Sequence, residues 1–321
     1  MKMMEAGRGW IAAAALAFLS TTAFGAQLSG DARSAIPKDI QQIIVVDYRA
    51  MQNSPAAMSL RDKVVPPELK RLETALQKSG FKAESVTDVL AFAAFRTDSK
   101  STATRTIGIA QGQFPTATII GNMTKAKVKP VAVRNNNVYP MGSSGMSVAF
   151  LNQTTMVFGD MPSVRAALDA RDGFTANFLS NGDMMNEMIA VDKSALWSLL
   201  DQKGTQVMMR NVLGDAAQLA DYDTVKNRMR DSRYTMDFSN GVKFDMAVVM
   251  SDTVTAATAA ALMKGMVLMR KSTNSSNGAE KDAMTHTSVD SNAGTLLVDY
   301  SASDSEFASL LSSPLFQQVV H

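Results

Sequence analysis

The chain has no cysteine. That absence excludes disulfide staples, thiolate catalysis, thiolate zinc sites and iron–sulfur clusters. It also excludes the lipid-modified cysteine that anchors bacterial lipoproteins. Histidine is nearly as scarce: the 321 residues hold two, His286 and His321. A site with two or three imidazole ligands would need both, so a histidine zinc centre is not expected. Charged residues make up 19% of the chain, below the usual ~25%. The net charge of +2 comes without a basic block, so no nucleic-acid partner is expected. Neither a P-loop nor a dinucleotide-binding glycine fingerprint occurs. No cofactor is expected, and no residue stands out as catalytic, cofactor-binding or metal-ligating.

What is present begins with an address. Lys2 and Arg8 precede an apolar run from Trp10 to Leu19, and Ala23-Phe24-Gly25 offers small residues before Ala26. This is the pattern of a secretory signal peptide over residues 1–25. The run is half the roughly 20 residues of a membrane-spanning helix. The expectation is cleavage near Ala26, no stable membrane span afterwards, and a periplasmic or extracellular location. Hydrophobic residues form 46% of the chain, enough for a core that dispenses with disulfides.

The periodicities predict an α+β fold, with mostly antiparallel sheets and helices packed on one face. Ile43 to Val46 reads as a buried strand. Leu69, Leu72 and Leu76 make one helical stripe after Pro66-Pro67. Strands over 86–95 and 106–114 follow, then hairpins around Asn135-Asn136 and around Asn152-Gln153. Asp160 and Pro162 mark a helix start. Residues 184–200 read as partly helical, with Trp197 on that helix, and Val207 to Met209 as a strand. Tyr234, Met236 and Phe238 alternate with polar residues, as do Phe244, Met246 and Val248, around the turn Asn240-Gly241. An alanine-rich helix spans 253–269, a polar loop 272–282 and a strand 294–300. Ser303 and Glu306 have capping-box spacing. The order of elements predicts two sheet–helix units, 26–173 and 174–321, related by internal duplication. Thr106 to Met123 and Lys243 to Met266 share the pattern of a strand followed by a helix.

Methionine is the compositional anomaly, with 23 residues. Met184, Met185 and Met188 cluster at helical spacing, as do Met263, Met266 and Met269. Thioethers bind Cu(I), but methionine more often fills irregular cores, and that is the reading adopted. Gly142-Ser143-Ser144-Gly145 lacks the spacing of a nucleophile elbow and is expected to be an exposed turn. Asp221 and Asp223 are alternate carboxylates of the kind used in acid–base work. Asn122, Asn152 and Asn274 head glycosylation sequons, which matter only in a eukaryotic secretory route.

Ile36-Pro37-Lys38-Asp39 before a strand, Val46-Asp47-Tyr48 at its end, and Ala149-Phe150-Leu151 followed by Thr155 to Asp160 and Val164 to Asp169 form a further pattern. Over residues 36–170 it resembles poorly characterised bacterial exported α+β proteins. The resemblance implies that architecture and no catalytic residues. The leading expectation is a non-enzymatic exported protein that binds a partner protein or supports the cell envelope. The alternative is a protein that binds a small ligand or lipid in a groove between sheet and helices. A carboxylate- or serine-based hydrolase ranks third.

Overall fold

The computed structural model describes residues 25–64, 67–78, 80, 82–97, 103–141, 145–213, 222–272, 277–314 and 316. Residues 1–24, which hold nearly all of the expected signal peptide, and Ser143, Ser144, Asp221, Asn274 and His321 lie outside the described residues. Helix α1 (Gly30–Ser34) leads into strand β1 (Ile40–Asp47). Helices α2 (Tyr48–Gln52), α3 (Pro55–Val64), α4 (Pro67–Lys78) and α5 (Ala83–Val86) connect β1 to β2 (Thr87–Arg96). Then come β3 (Thr104–Gly112), α6 (Thr116–Lys125), β4 (Val131–Val133), β5 (Asn136–Pro140), β6 (Met146–Phe150), β7 (Thr155–Asp160) and α7 (Met161–Arg171). Helix α8 (Gly182–Val191) precedes β8 (Leu196–Leu200), α9 (Gln202–Leu213), α10 (Tyr222–Lys226), β9 (Met229–Asp237) and β10 (Val242–Met250). The chain continues through α11 (Thr253–Ser272), α12 (Gly278–Thr285), β11 (Thr287–Asn292), β12 (Thr295–Ala302) and α13 (Asp304–Leu310).

The expected α+β class is observed, with all twelve strands in one sheet. Its order is β11-β12-β10-β9-β8-β1-β2-β3-β7-β6-β5-β4, and every described pairing is antiparallel. The two sides of the seam between β1 and β8 follow one path. Outward from the seam the strand order is β1-β2-β3-β7-β6 on one side, extended there by β5 and β4, and β8-β9-β10-β12-β11 on the other. In each, the connection after the third strand is helical, α6 on one side and α11 and α12 on the other.

Both faces of the sheet are used, which departs from the one-face expectation. One face carries Leu90, Phe92 and Phe158 under α4 and α6 in the first half. The same face carries Met246, Val248 and Leu296 under α11 and α12 in the second half. The opposite face is covered over the first half by α7, above Ile107 and Val157, and across the seam by α8, which packs on β8 and β9 beside Ile43 and Val45. Over β10 and β12 that face is polar, with Lys243, Asp299 and Ser301 exposed. Alternation along each strand produces the division, because neighbouring side chains point to opposite faces.

Local signals explain several boundaries. The Asp160 carboxylate accepts the Ser163 amide and caps α7, with Pro162 in the first turn. Ser303 and Glu306 form the capping box of α13. Gly241 supplies the left-handed turn between β9 and β10 at φ 78°. Two readings are corrected. Leu196 to Leu200 is a strand rather than helix, with all five residues buried. A five-residue apolar run carries no period that separates a buried strand from a helix. Val207 to Met209 lies inside α9 rather than in a strand, held there because Met209 and Leu213 one turn apart pack into the core. The hairpin between β4 and β5 places its left-handed residue at Arg134, φ 53°, one position before the asparagines. The segment expected as a loop over 272–282 contains the start of α12, capped by Asn277.

Trp197 is fully buried, and its indole nitrogen donates to the Ala26 carbonyl at 2.8 Å. The Ala26 amide in turn donates to Ser194 at 3.1 Å. Trp197→Phe strands a buried carbonyl, which costs about 1–3 kcal/mol, and leaves a void besides. Urea unfolding should show a loss of about 2 kcal/mol or more, with new proteolysis around residues 26–28. A loss below about 0.5 kcal/mol would mean that this hydrogen bond does not hold the segment.

Candidate functional site

A half-open apolar cavity lies on the seam between the two halves. Its volume is about 230 Å³. The floor is the centre of the sheet: Ile44 and Val46 of β1, Leu90 and Phe92 of β2, Leu196 of β8, and Tyr234 and Met236 of β9. The roof is Tyr48 and Met51 of α2, Leu60, Arg61 and Val64 of α3, and Leu69 of α4. Helix α3 spans the gap. It is part of the first half in sequence, yet Ala56 and Leu60 join the second half's core, and α3 packs against α13. Ile44, Val46 and Tyr234 sit on central strands of a twelve-stranded sheet, where side chains are ordinarily covered. All three are only half-buried, because the helices of the two halves leave a gap above them.

Beside the cavity an aromatic wall is built across three strands. Phe92, Gly108 and Phe158 are successive cross-strand partners. A side chain at Gly108 would collide with the Phe158 ring. Without one, the Phe92 and Phe158 rings meet edge-on with centroids 5.9 Å apart.

One polar group cluster breaks the apolar lining. Arg61 forms an ion pair with Glu73 of α4, and a second, longer contact to Glu84 at 4.0 Å. The Tyr48 hydroxyl donates to Glu73 at 2.9 Å, and the guanidinium lies 5.6 Å from the Tyr48 ring centroid. Burial, followed by the neighbouring Glu73 carboxylate, pushes the Tyr48 phenol well above its ordinary range. The phenol stays protonated and keeps its hydrogen bond. The Arg61 Nε is buried and has no hydrogen-bond partner among the described residues.

The residues singled out from sequence do not converge on this cavity. Met184 and Met188 are buried in the core under α7 and α8 with Met185 against them, and Met263 and Met266 are buried in the core under α11. Met269 is exposed. Asp223 is exposed near the start of α10. His286 ends α12, with Nδ1 3.9 Å from Glu306. It borders an open polar trough of about 940 Å³ on the far side of the second half. On the sheet near this trough, Asp245 and Asp299 are direct cross-strand partners. Burial and then a hydrogen bond to the Asp245 carboxylate raise the Asp299 carboxyl. The pair is a carboxylate couple that only the strand register reveals. Among the described residues no group of three acidic or histidine side chains could hold a metal ion, and no helix is long and apolar enough to cross a membrane.

No family model matches the chain, and no curated protein matches it. Solved structures of TP0453 are similar to it. Crystal form I aligns at a TM-score of 0.47 with 7% identity, covering 87% of this chain and 96% of that one. Crystal form III aligns at 0.47 with 8% identity, covering 87% and 97%. Crystal form IV aligns at 0.45 with 9% identity, covering 88% and 96%.

Asp231, on β9, carries a buried carboxylate oxygen without a hydrogen-bond partner among the described residues. Burial first, then the Glu187 and Asp183 charges of α8, raise its pKa from 3.8 to about 6. A raised folded-state pKa means that the ionised form costs stability. That cost is fully present above about pH 6 and is relieved as pH falls towards 4. Asp231→Asn should therefore stabilise the protein at pH 7, by on the order of 1 kcal/mol once solvent screening is discounted. It should also flatten the stability profile between pH 4 and 6. Chemical denaturation across that range checks this, and destabilisation at pH 7 would contradict it.

Proposed function

We propose that this is an exported, non-enzymatic binding protein whose ligand is a small, largely apolar molecule held in the cavity on the β1–β8 seam. Of the two binding readings, the one with a groove between sheet and helices is the better supported. The observation that carries it is the half-buried state of Ile44, Val46 and Tyr234 at the centre of the sheet. Apolar surface there would ordinarily be covered, and each Å² covered contributes about 25 cal/mol. A cavity of about 230 Å³ is smaller than the usual 300–1,000 Å³ of drug-sized sites. It suits one short hydrocarbon chain or one aromatic ring. Arg61 lies at its edge, and its guanidinium favours a ligand with one acceptor oxygen. The Glu73 carboxylate already balances the Arg61 charge, so a neutral hydroxyl or carbonyl head fits better than an anion.

The export part of the reading rests on the leader over residues 1–25. The shared path of the two half-sheets supports duplication of one sheet–helix unit over 26–173 and 174–321, which we include in the proposal. The cavity would then be where two copies of that unit join.

The test is binding of N-phenyl-1-naphthylamine, followed by fluorescence, with displacement by decanol. The protein should enhance the probe's emission, and decanol should reverse it. Ile44→Phe and Val46→Phe fill the cavity from the floor, where neither native side chain is fully packed. Both variants should melt within a few degrees of the parent and lose at least tenfold in probe affinity. Undiminished binding in both folded variants would overturn the reading.

A further inference from the structure

The stretch around the expected cleavage point is sewn into the fold. Chain ends ordinarily lie loose at the surface, yet Ala26 is fully buried and Leu28 nearly so. The Ala26 amide donates to the Ser194 carbonyl at 3.1 Å, and its carbonyl accepts from the Trp197 indole at 2.8 Å. Gln111 of β3 accepts from the Ser29 amide at 2.8 Å and donates to the Gln27 carbonyl at 3.0 Å. The Gly25 carbonyl accepts from the Gln27 amide at 2.7 Å, so the backbone is bent tightly at Ala26.

Gly25 itself is pressed against the segment before β8. A Cβ there would come within 2.2 Å of the Lys193 backbone, which cannot swing aside as a side-chain tip can. Its φ is not positive, so the folded chain needs glycine at this position for space alone. Alanine would serve a signal peptidase as well, because the cleavage site asks only for small residues.

We propose that the Gly25–Ala26 bond is a processing site that folding closes. The proposal rests on the reading of residues 1–25 as a leader. Hydrolysis by a signal peptidase adds one water across the bond, leaving a carboxylate on Gly25 and an ammonium on Ala26. Extended peptides are recognised through main-chain hydrogen bonds. In the folded chain the main-chain groups on both sides of this bond are engaged elsewhere, and the backbone is bent rather than extended. The seal is not local. Trp197 lies 171 positions beyond Ala26, on the strand that pairs with β1. The bond therefore stays open until the second half of the chain has arrived and β8 has joined β1. Cleavage must come first, and a chain that folds first keeps its leader.

The test uses full-length precursor and purified signal peptidase in detergent micelles, read by mass spectrometry of the products. Precursor offered to the peptidase directly on dilution from urea should be cut between Gly25 and Ala26. Precursor refolded beforehand should be cut at least tenfold more slowly. Gly25→Ala separates the seal from the cleavage chemistry, since both precursors yield the same mature chain. Unfolded, it should be cut as fast as the parent. Refolded, it should be cut at least tenfold faster than the refolded parent, and it should melt at a lower temperature than the parent precursor. Trp197→Phe, which strands the Ala26 carbonyl, should open the refolded precursor likewise. Refolded parent cut as fast as unfolded parent would overturn the proposal and leave the leader reading standing. So would refolded Gly25→Ala that resists as well as the parent. Unfolded precursor that is not cut, or is cut at another bond, would overturn the leader reading and the proposal together.

Discussion

The pairing of β1 with β8 is the contact on which the rest of the molecule depends. It joins residues about 150 positions apart, with Ile44 opposite Ser198 and Val46 opposite Leu196. Through it, two half-sheets of the same path become one sheet without a break. The register also decides what each face of the seam becomes. Ile43, Val45, Trp197 and Leu199 point to the face filled by α7 and α8. Ile44, Val46 and Leu196 point to the face that holds the cavity. A slip of one residue would exchange the two sets. It would put Trp197 into the cavity and remove its hydrogen bond to Ala26.

The two faces of the seam have opposite characters for a packing reason. On one, the helices that follow β7 and precede β8 close directly over it, and little space remains. On the other, most described helices lie over their own half's strands, with α3 crossing from the first half to the second and α9 reaching β1 from the second. One short helix cannot cover the floor between two diverging layers. The result is an uncovered apolar centre, rimmed by a Tyr48–Glu73–Arg61 cluster that is almost satisfied. The cavity is thus a consequence of joining two units edge to edge. This also explains why its lining comes from both halves.

Much of the fold was legible locally. Asp160, Gly241 and the Ser303–Glu306 box each have a chemistry that works over four residues, and each sits where that chemistry predicts. The hairpin of β9 and β10 is readable from alternation alone. What failed was short or context-dependent. Leu196-Trp197-Ser198-Leu199-Leu200 is buried on both faces, Ser198 included, which erases the period. Val207 sits on the exposed side of α9, so its β-branched character misled. The cavity was not legible at all. Its walls come from seven elements brought together by strand register, and Arg61 and Glu73 meet only because α3 and α4 fold back across the residues between them. The Asp245–Asp299 couple was hidden for the same reason, since 54 positions separate its members in sequence.

The central claim is that the uncovered centre of the seam is a binding site whose roof is α2 and α3. Hydrogen exchange of the backbone amides, with and without decanol, tests it most directly. The roof borders an unfilled pocket, so it should exchange faster in the free protein than with the pocket filled. Decanol should slow exchange across residues 48–64 and at Leu196 to Ser198, and leave α11 unchanged. Slowing spread evenly over the molecule, or confined to the polar trough near His286, would contradict the account.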